Sequence, residues 1–454
     1  MGYLLQNGGL GMAGDWIITG GRPLQGRVEV PAAKNSVLPL LAAALLCSGP
    51  VRLQNVPRLT DVEDCLALLR GVGCTAGWQG AALAVQGQPM RTDLAPEAAG
   101  RMRASILFCA PLLARLGRVN TVLPGGCRIG ARPIDLHLQG LAQMGVRQLP
   151  AAPGQLTLYA PAGLRGAEIC LAFPSVGATE TLLLAAATAQ GQTVLHGAAK
   201  EPEIVDLAAF LNACGGCVEG AGTDTIRVQG RRCLAGCTFA PMADRIIAST
   251  LACAVAAAGG RVELAGCAPG LYAPLLEILE QMGCTVERAH DAAAISRFGA
   301  LRGAGNVHTA PYPGLATDAA PLLAAVMLCA QGESSLQDRV FENRFACAGG
   351  FAALGANVRV AERTLYVQPA GALHGAKLTA PDLRGGAALV VAALAARGSS
   401  RLDGVELVRR GYAELDRLLA GLGAQIWQEI PARRGLAKKT PMKKQFCLAI
   451  GAKK

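Results

Sequence analysis

Residues 246–266 read IIASTLACAVAAAGGRVELAG: an apolar run without a charged side chain, a Gly pair, then a segment in which apolar and polar residues alternate. A helix with no polar face must be buried on all sides, and the alternation after the glycines is that of a strand with one face in a core. The pattern recurs. SVLPLLAAALLCSGPVRLQNV begins at residue 36, SILFCAPLLARLGRVNTVL at 105, ATETLLLAAATAQGQTVLHGA at 178, APLLAAVMLCAQGESSLQDRV at 320 and AALVVAALAARGSSRLDGV at 387. Six starts define a period of roughly 70 residues, longer than that of ordinary solenoid repeats.

Each unit carries a second, amphipathic helix that stops at a Gly: DVEDCLALLRGVG, PIDLHLQGLAQMG, EIVDLAAFLNACGG, LYAPLLEILEQMG, FENRFACAGGFAALG and GYAELDRLLAGLG. The apolar helix belongs inside and the amphipathic one outside. The expected fold is therefore α/β: two inside-out α/β barrels built from six repeated units, three per domain, with LAGCTFAPMAD (234–244) as the crossing between them.

Composition narrows the function. The chain has 454 residues, 52% hydrophobic and 17% charged, which excludes disorder. Its longest apolar runs, of about a dozen residues, fall short of the roughly 18–20 that span a bilayer. No membrane span is expected, and the N-terminus lacks the basic and apolar regions of a secretory signal, so a cytoplasmic protein is expected. The net charge of +11 owes eight lysines and arginines to residues 433–454; without them it is +3, and nucleic-acid binding is not expected.

Gly9, Gly11 and Gly14 form a GxGxxG, but a strand-like WIITGG follows where a dinucleotide site needs a helix. Cys214, Cys217, Cys233 and Cys237 approach zinc-ribbon spacing, yet the second pair is CxxxC, and core thiols are the better reading. Cys127, in PGGCRIGARPIDLHLQGL, sits in a Gly-rich loop with Arg128 and Arg132 following it and just before a helix, a setting that can lower a thiol pKa and expose it. It is the candidate reactive cysteine, and Gly125 and Gly126 let its loop act as a lid.

Lys34, Arg103, Arg245 and Arg384 each stand near the start of an apolar helix. Such a charge needs an anionic partner, either a nearby carboxylate or a phosphate or carboxylate ligand. Asp318 opens the fifth buried helix, as a cap or as a general base.

At these residues the chain resembles the enolpyruvyl transferases. AKNSVLP, MRAS, PGGCRIGARPIDLH, PSVGAT, EPEIVD, ADRI, TAPYP with TD, VFENRF, DLR and RGY follow in the family's order, from GGRPLQGRVEVPAAKN to about residue 427. The Cys127 loop distinguishes it from the branch that acts on shikimate 3-phosphate. The resemblance implies a discontinuous C-terminal lobe (residues 1–33 with 242–430), an N-terminal lobe over 34–241 and a basic tail over 431–454.

The same resemblance implies transfer of the enolpyruvyl group of phosphoenolpyruvate to the 3′-hydroxyl of UDP-N-acetylglucosamine, with release of phosphate, in peptidoglycan synthesis. Lys34, Arg132 and Arg410 would hold phosphoenolpyruvate. Asn35, Arg103, Pro133, Asp135, Leu136, His137, Ser175, Val176, Gly177, Asp318 and Val340 would line the sugar-nucleotide site, and Arg344 and Arg384 would complete the cationic cleft. Lys34, Cys127 and Asp318 would be catalytic: Cys127 as acid and covalent adduct site, alkylated by fosfomycin, and Asp318 as a base strengthened by a drier site. Neither metal nor organic cofactor is implied.

Three positions depart from the family: Ile247 for a usual Glu, Ala316 for a Pro, and Arg409 for an Asp that would partner the cations around Arg410. With the tail, they leave room for another acceptor or for a weakly active regulatory paralogue. Phe173 stands where some members carry Lys.

Overall fold

The computed structural model describes residues 14–125, 130 and 133–429. All six apolar segments are helical and buried: Lys34–Ala43, Cys109–Leu116, Val176–Ala186, Arg245–Ala258, Ala320–Met327 and Leu383–Ala395. In the second unit the helix begins later than expected. Arg103–Phe108 is a 3₁₀ turn, and the α-helix starts at Cys109. Pro111 has no N–H to give the carbonyl four residues back, and it falls in the first turn of this helix, where that bond is not needed.

The outer helices lie where the amphipathic segments predict, at Thr60–Gly71, Asp135–Gln143, Pro202–Ala213, Ala273–Gln281 and Leu415–Gly421. The fifth unit is the exception: its helix is only Ala348–Ala353. The preceding FENRF forms turns instead, because Asp338 accepts the N–H groups of Val340 and Phe341 (2.8 and 2.7 Å) and Arg344 is drawn to carboxylates.

Six sheets of three or four strands surround the helices. The strand Gly260–Ala265, read above from RVELA, pairs in parallel with Leu24–Glu29 (Val262 opposite Gly26) and antiparallel with Ala292–Arg297. The earlier strand Asp15–Thr19 lies between Ser399–Asp403 and Gln425–Glu429. The short strand Thr238–Phe239 pairs in parallel with Val51–Leu53, so the end of the third unit closes the sheet of the first.

Two hydrophobic cores result. One holds Val37 to Leu234; the other joins Trp16, Ile18, Leu24 and Val30 to residues 246–426. In the second core the helices Arg245–Ala258, Ala320–Met327 and Leu383–Ala395 pack on one another. Ala and Gly permit this closeness. Leu251, Leu323 and Leu389 are fully buried there, each worth about 1.5–3 kcal/mol. Ile247 is buried among them, so this departure from the family is a core side chain. Among the described residues no helix is long and apolar enough to cross a membrane.

Candidate active site

The starts of the buried helices meet at a cleft of about 550 Å³. Side-chain caps fix several of these starts. Asp244 accepts the N–H groups of Ile246 and Ile247, and its second oxygen accepts that of Lys34 at 3.2 Å. Asp382 caps Leu383–Ala395 through Arg384 and Gly385 (both 2.9 Å), and Ser175 caps Val176–Ala186. The chain thereby delivers Lys34, Arg245 and Arg384 to one cavity at the positive ends of helices.

Each of these cations has a carboxylate partner. Lys34 Nζ lies 2.6 Å from Asp61, and Arg410 Nε lies 3.0 Å from the same carboxylate. Arg410 also reaches the Arg101 carbonyl at 3.3 Å, while Arg101 pairs with Asp64. Arg245 donates to both oxygens of Glu203 at 3.0 and 3.2 Å and lies over the Tyr312 ring. Arg344 and Arg384 grip Asp318 at 3.0 and 2.9 Å. Arg344 also donates to Thr317, itself bonded to Asp338. Arg103 donates to the Pro133 carbonyl at 2.8 Å.

Asp318 therefore does not cap its helix; the 3₁₀ turn Thr317–Ala319 that carries it starts from Ala316 with no side-chain cap. Nor is it strengthened as a base in this arrangement. Burial pushes its carboxyl up, but the guanidiniums of Arg384 and Arg344, with Arg245, outweigh burial and hold it well below the ordinary carboxylate range. It is ionised, and therefore able to accept a proton, yet a weak base while both arginines grip it.

Every other candidate residue that is described lines the same cavity: Asn35, Pro133, Asp135, Leu136, His137, Ser175, Val176, Gly177 and Val340. His137 is fixed by a 2.8 Å hydrogen bond to Thr181, with Gly177 packed against its ring. Phe173, half exposed, sits at the rim. Cys127, Arg128 and Arg132 lie outside the described residues. Arg409 turns away to Gln428 and the Trp16 ring, while Arg410 has Asp61, so Arg410 keeps an acidic partner despite the departure at 409.

Sequence reasoning missed the acidic half of the site. Asp61 reads as the polar face of an outer helix, and Glu201 and Glu203 passed as part of the motif EPEIVD. Three acidic residues in six was the available signal. Glu201 is pushed up by burial, and its Oε2 has no hydrogen-bond partner among the described residues. Glu180, buried in the wall, is pushed well above the ordinary range by burial and by the nearby Glu203 and Glu201. Arg384 Nη1 is likewise buried and unbonded among the described residues, with its guanidinium over the Tyr412 ring. A cationic side chain with a donor to spare in the wall of the cleft suits an anionic ligand.

A cationic cleft at the convergent starts of four buried helices and two 3₁₀ turns, counted among the described residues, defines an anion-binding α/β class. The sequence matches the family model of EPSP synthase (3-phosphoshikimate 1-carboxyvinyltransferase) over residues 18–419, and the chain belongs to this family of enolpyruvyl transferases. It is 42% identical over 414 residues to a UDP-N-acetylglucosamine 1-carboxyvinyltransferase of Nitratidesulfovibrio vulgaris, covering 91% of this chain and 99% of the relative. It is 43% identical over 413 residues to the enzyme so named in Maricaulis maris, covering 90% and 97%. Among solved structures it resembles the enolpyruvyl transferase NikO of Streptomyces tendae, with a TM-score of 0.81 and 27% identity over 91% of this chain and 99% of that one. The EPSP synthase of Acinetobacter baumannii shares the fold, with a TM-score of 0.71 at 20% identity, covering 92% of this chain and 100% of that one.

Proposed function

We propose that this chain transfers the enolpyruvyl group of phosphoenolpyruvate to the 3′-hydroxyl of UDP-N-acetylglucosamine and releases phosphate, the first committed step of peptidoglycan synthesis, in the cytoplasm. The observation that carries the reading is the pair of carboxylate-bridged cation clusters, Lys34–Asp61–Arg410 and Arg344–Asp318–Arg384, lining one cleft. Relatives that match nearly their whole length bear that enzyme's name. The reading divides the chain into lobes of residues 34–241 and 242–430, with residues 1–33 joined to the second and 431–454 a tail.

Phosphoenolpyruvate brings a phosphate and a carboxylate, the groups that displace carboxylate side chains from guanidinium and ammonium partners. Its phosphate takes Lys34 and Arg410 from Asp61 and is held by Arg132 as well. Nucleotide and enolpyruvyl anions draw Arg344 and Arg384 from Asp318, which then regains basicity and accepts the proton of the 3′-hydroxyl. The hydroxyl oxygen bonds to carbon 2 as carbon 3 gains a proton from Cys127, whose thiolate can also add to carbon 2. In the elimination a carbon 3 proton returns to Cys127, the carbon 2–oxygen bond to phosphate breaks and the double bond is restored, while the cations stabilise the charge on the departing phosphate. Asn35, Arg103, Asp135, His137 and the Ser175–Gly177 turn hold the sugar nucleotide.

The test is release of inorganic phosphate from the two substrates by the purified chain and by Cys127→Ala. Release by the parent and its loss in the variant are expected. No release from folded parent refutes the reading. Fosfomycin should alkylate Cys127, seen as a mass increase on its peptide.

A further inference from the structure

The reaction above leaves one thiol cluster unused. Cys214, at the C-terminal end of the helix Pro202–Ala213, lies with its Sγ 3.3 Å from the Sγ of Cys237. Their backbones are held in register: Ala235 N–H donates to the Cys214 carbonyl at 2.8 Å, and Arg52 N–H donates to that of Cys237, also at 2.8 Å. Cys214 is buried, whereas Cys237 is only partly buried against the core.

Two further observations separate this pair from ordinary core cysteines. Cys47 contacts Cys214 from another side, and with burial it keeps Cys214 a thiol; Cys237 is pushed up to about 12 by burial and by Cys214. Both are therefore neutral S–H groups at neutral pH, which disfavours the thiolates a resident metal needs. The pair is also placed to matter. Cys237 lies in the crossing segment 234–244, which ends at Asp244, the cap of the helix that starts at Arg245, and Cys214 follows the helix that carries Glu203 and Asp206. Asp206 already holds that segment through the Met242 N–H at 3.2 Å.

We propose that Cys214 and Cys237 are a covalent modification site, forming a disulfide when the protein meets a peroxide. The ionised fraction of Cys237, small at neutral pH and growing as pH rises, supplies the thiolate: its sulfur attacks one peroxide oxygen, the O–O bond breaks, and the departing hydroxide takes up a proton and leaves as water, giving a sulfenic acid. The Cys214 sulfur then attacks that sulfur, the S–S bond forms, and a second water leaves. Two thiols lose two electrons and two protons in all, and the peroxide is reduced to two waters. The sulfurs need to close by about 1.3 Å to reach bonding distance. Gly215, at φ 87°, follows Cys214 and gives the turn room to adjust. In a reducing compartment such a bond is a transient response to oxidant rather than a structural staple.

The test treats the full chain with hydrogen peroxide, blocks remaining thiols, digests without reduction and identifies cross-linked peptides by mass spectrometry. The expected product joins the peptides of Cys214 and Cys237, weighs two hydrogens less than their sum, and separates on dithiothreitol treatment. It should persist in Cys127→Ser and vanish in Cys237→Ser. A pairing of either residue with Cys47, Cys217 or Cys233 instead, sulfinic or sulfonic acid at Cys237 without the cross-link, or unmodified peptides at oxidant levels that modify other cysteines overturns the proposal. The measurement on the parent chain decides it even where a variant folds poorly.

Discussion

Glu203→Gln tests whether the buried acidic wall holds the cationic cleft together. Glu203 and Arg245 expose 4% and 10% of their side chains and share three donor–acceptor contacts between 3.0 and 3.3 Å. Removing one charge of such a pair strands the other where water cannot solvate it, at a cost of about 3–5 kcal/mol. Glutamine keeps the shape and one neutral acceptor, and Asp318 and Glu201 still act on Arg245, so the loss belongs at about 3 kcal/mol. For a lobe of this size that is a fall in Tm of about 6–12 °C. The assay is a calorimetric melt of parent and variant at neutral pH. Replacing both partners by hydrophobic residues, Glu203→Leu with Arg245→Met, should melt closer to the parent than Glu203→Gln alone, because no stranded charge remains. A shift of less than about 2 °C for Glu203→Gln, or a double variant that melts well below it, would refute the reasoning.

Glu180→Gln should behave in the opposite sense and with a pH signature. The folded pKa of Glu180 is raised, so its contribution to stability is full below the ordinary carboxylate pKa and is lost as pH rises through the folded value. The variant should therefore melt higher than the parent at about pH 8, with the gap closing toward pH 4–5; melts across that range check it. Asp318→Asn should lower kcat by about 10²–10⁴-fold, read by phosphate release, and also lower Tm because Arg344 and Arg384 lose their shared counter-ion. Gly140→Ala places a Cβ 2.5 Å from Leu182 on the neighbouring buried helix and should cost about 1–3 kcal/mol. Added to Leu182→Ala, it should cost little more, which a melt of the double variant checks.

The repeat was legible because a helix without a polar face has only one place to go, and six such helices at a regular period leave few arrangements. Cations at helix starts were legible for the same reason: Lys34, Arg245 and Arg384 are conspicuous in apolar surroundings. Their partners were not. Asp61 lies 349 positions from Arg410, on a helix whose sequence does not show that its carboxylate turns into the cleft. Nothing in DVEDCLALLRG separates Asp61, which meets Lys34 and Arg410, from Asp64, which pairs with Arg101, or Glu63, which accepts from Trp78.

By itself, the sequence determined the six-unit α/β plan and marked Lys34, Arg245 and Arg384 as cations at the starts of buried helices, since these follow from local hydrophobic period and glycine placement. Only the tertiary structure decided which charges meet. Pairing fixed Asp318 as an ionised, weakly basic carboxylate rather than a cap, kept Arg410 in place despite Arg409, and set Cys214 against Cys237. Electrostatic character depends on distance and burial, and both arise when segments hundreds of residues apart close on one cleft.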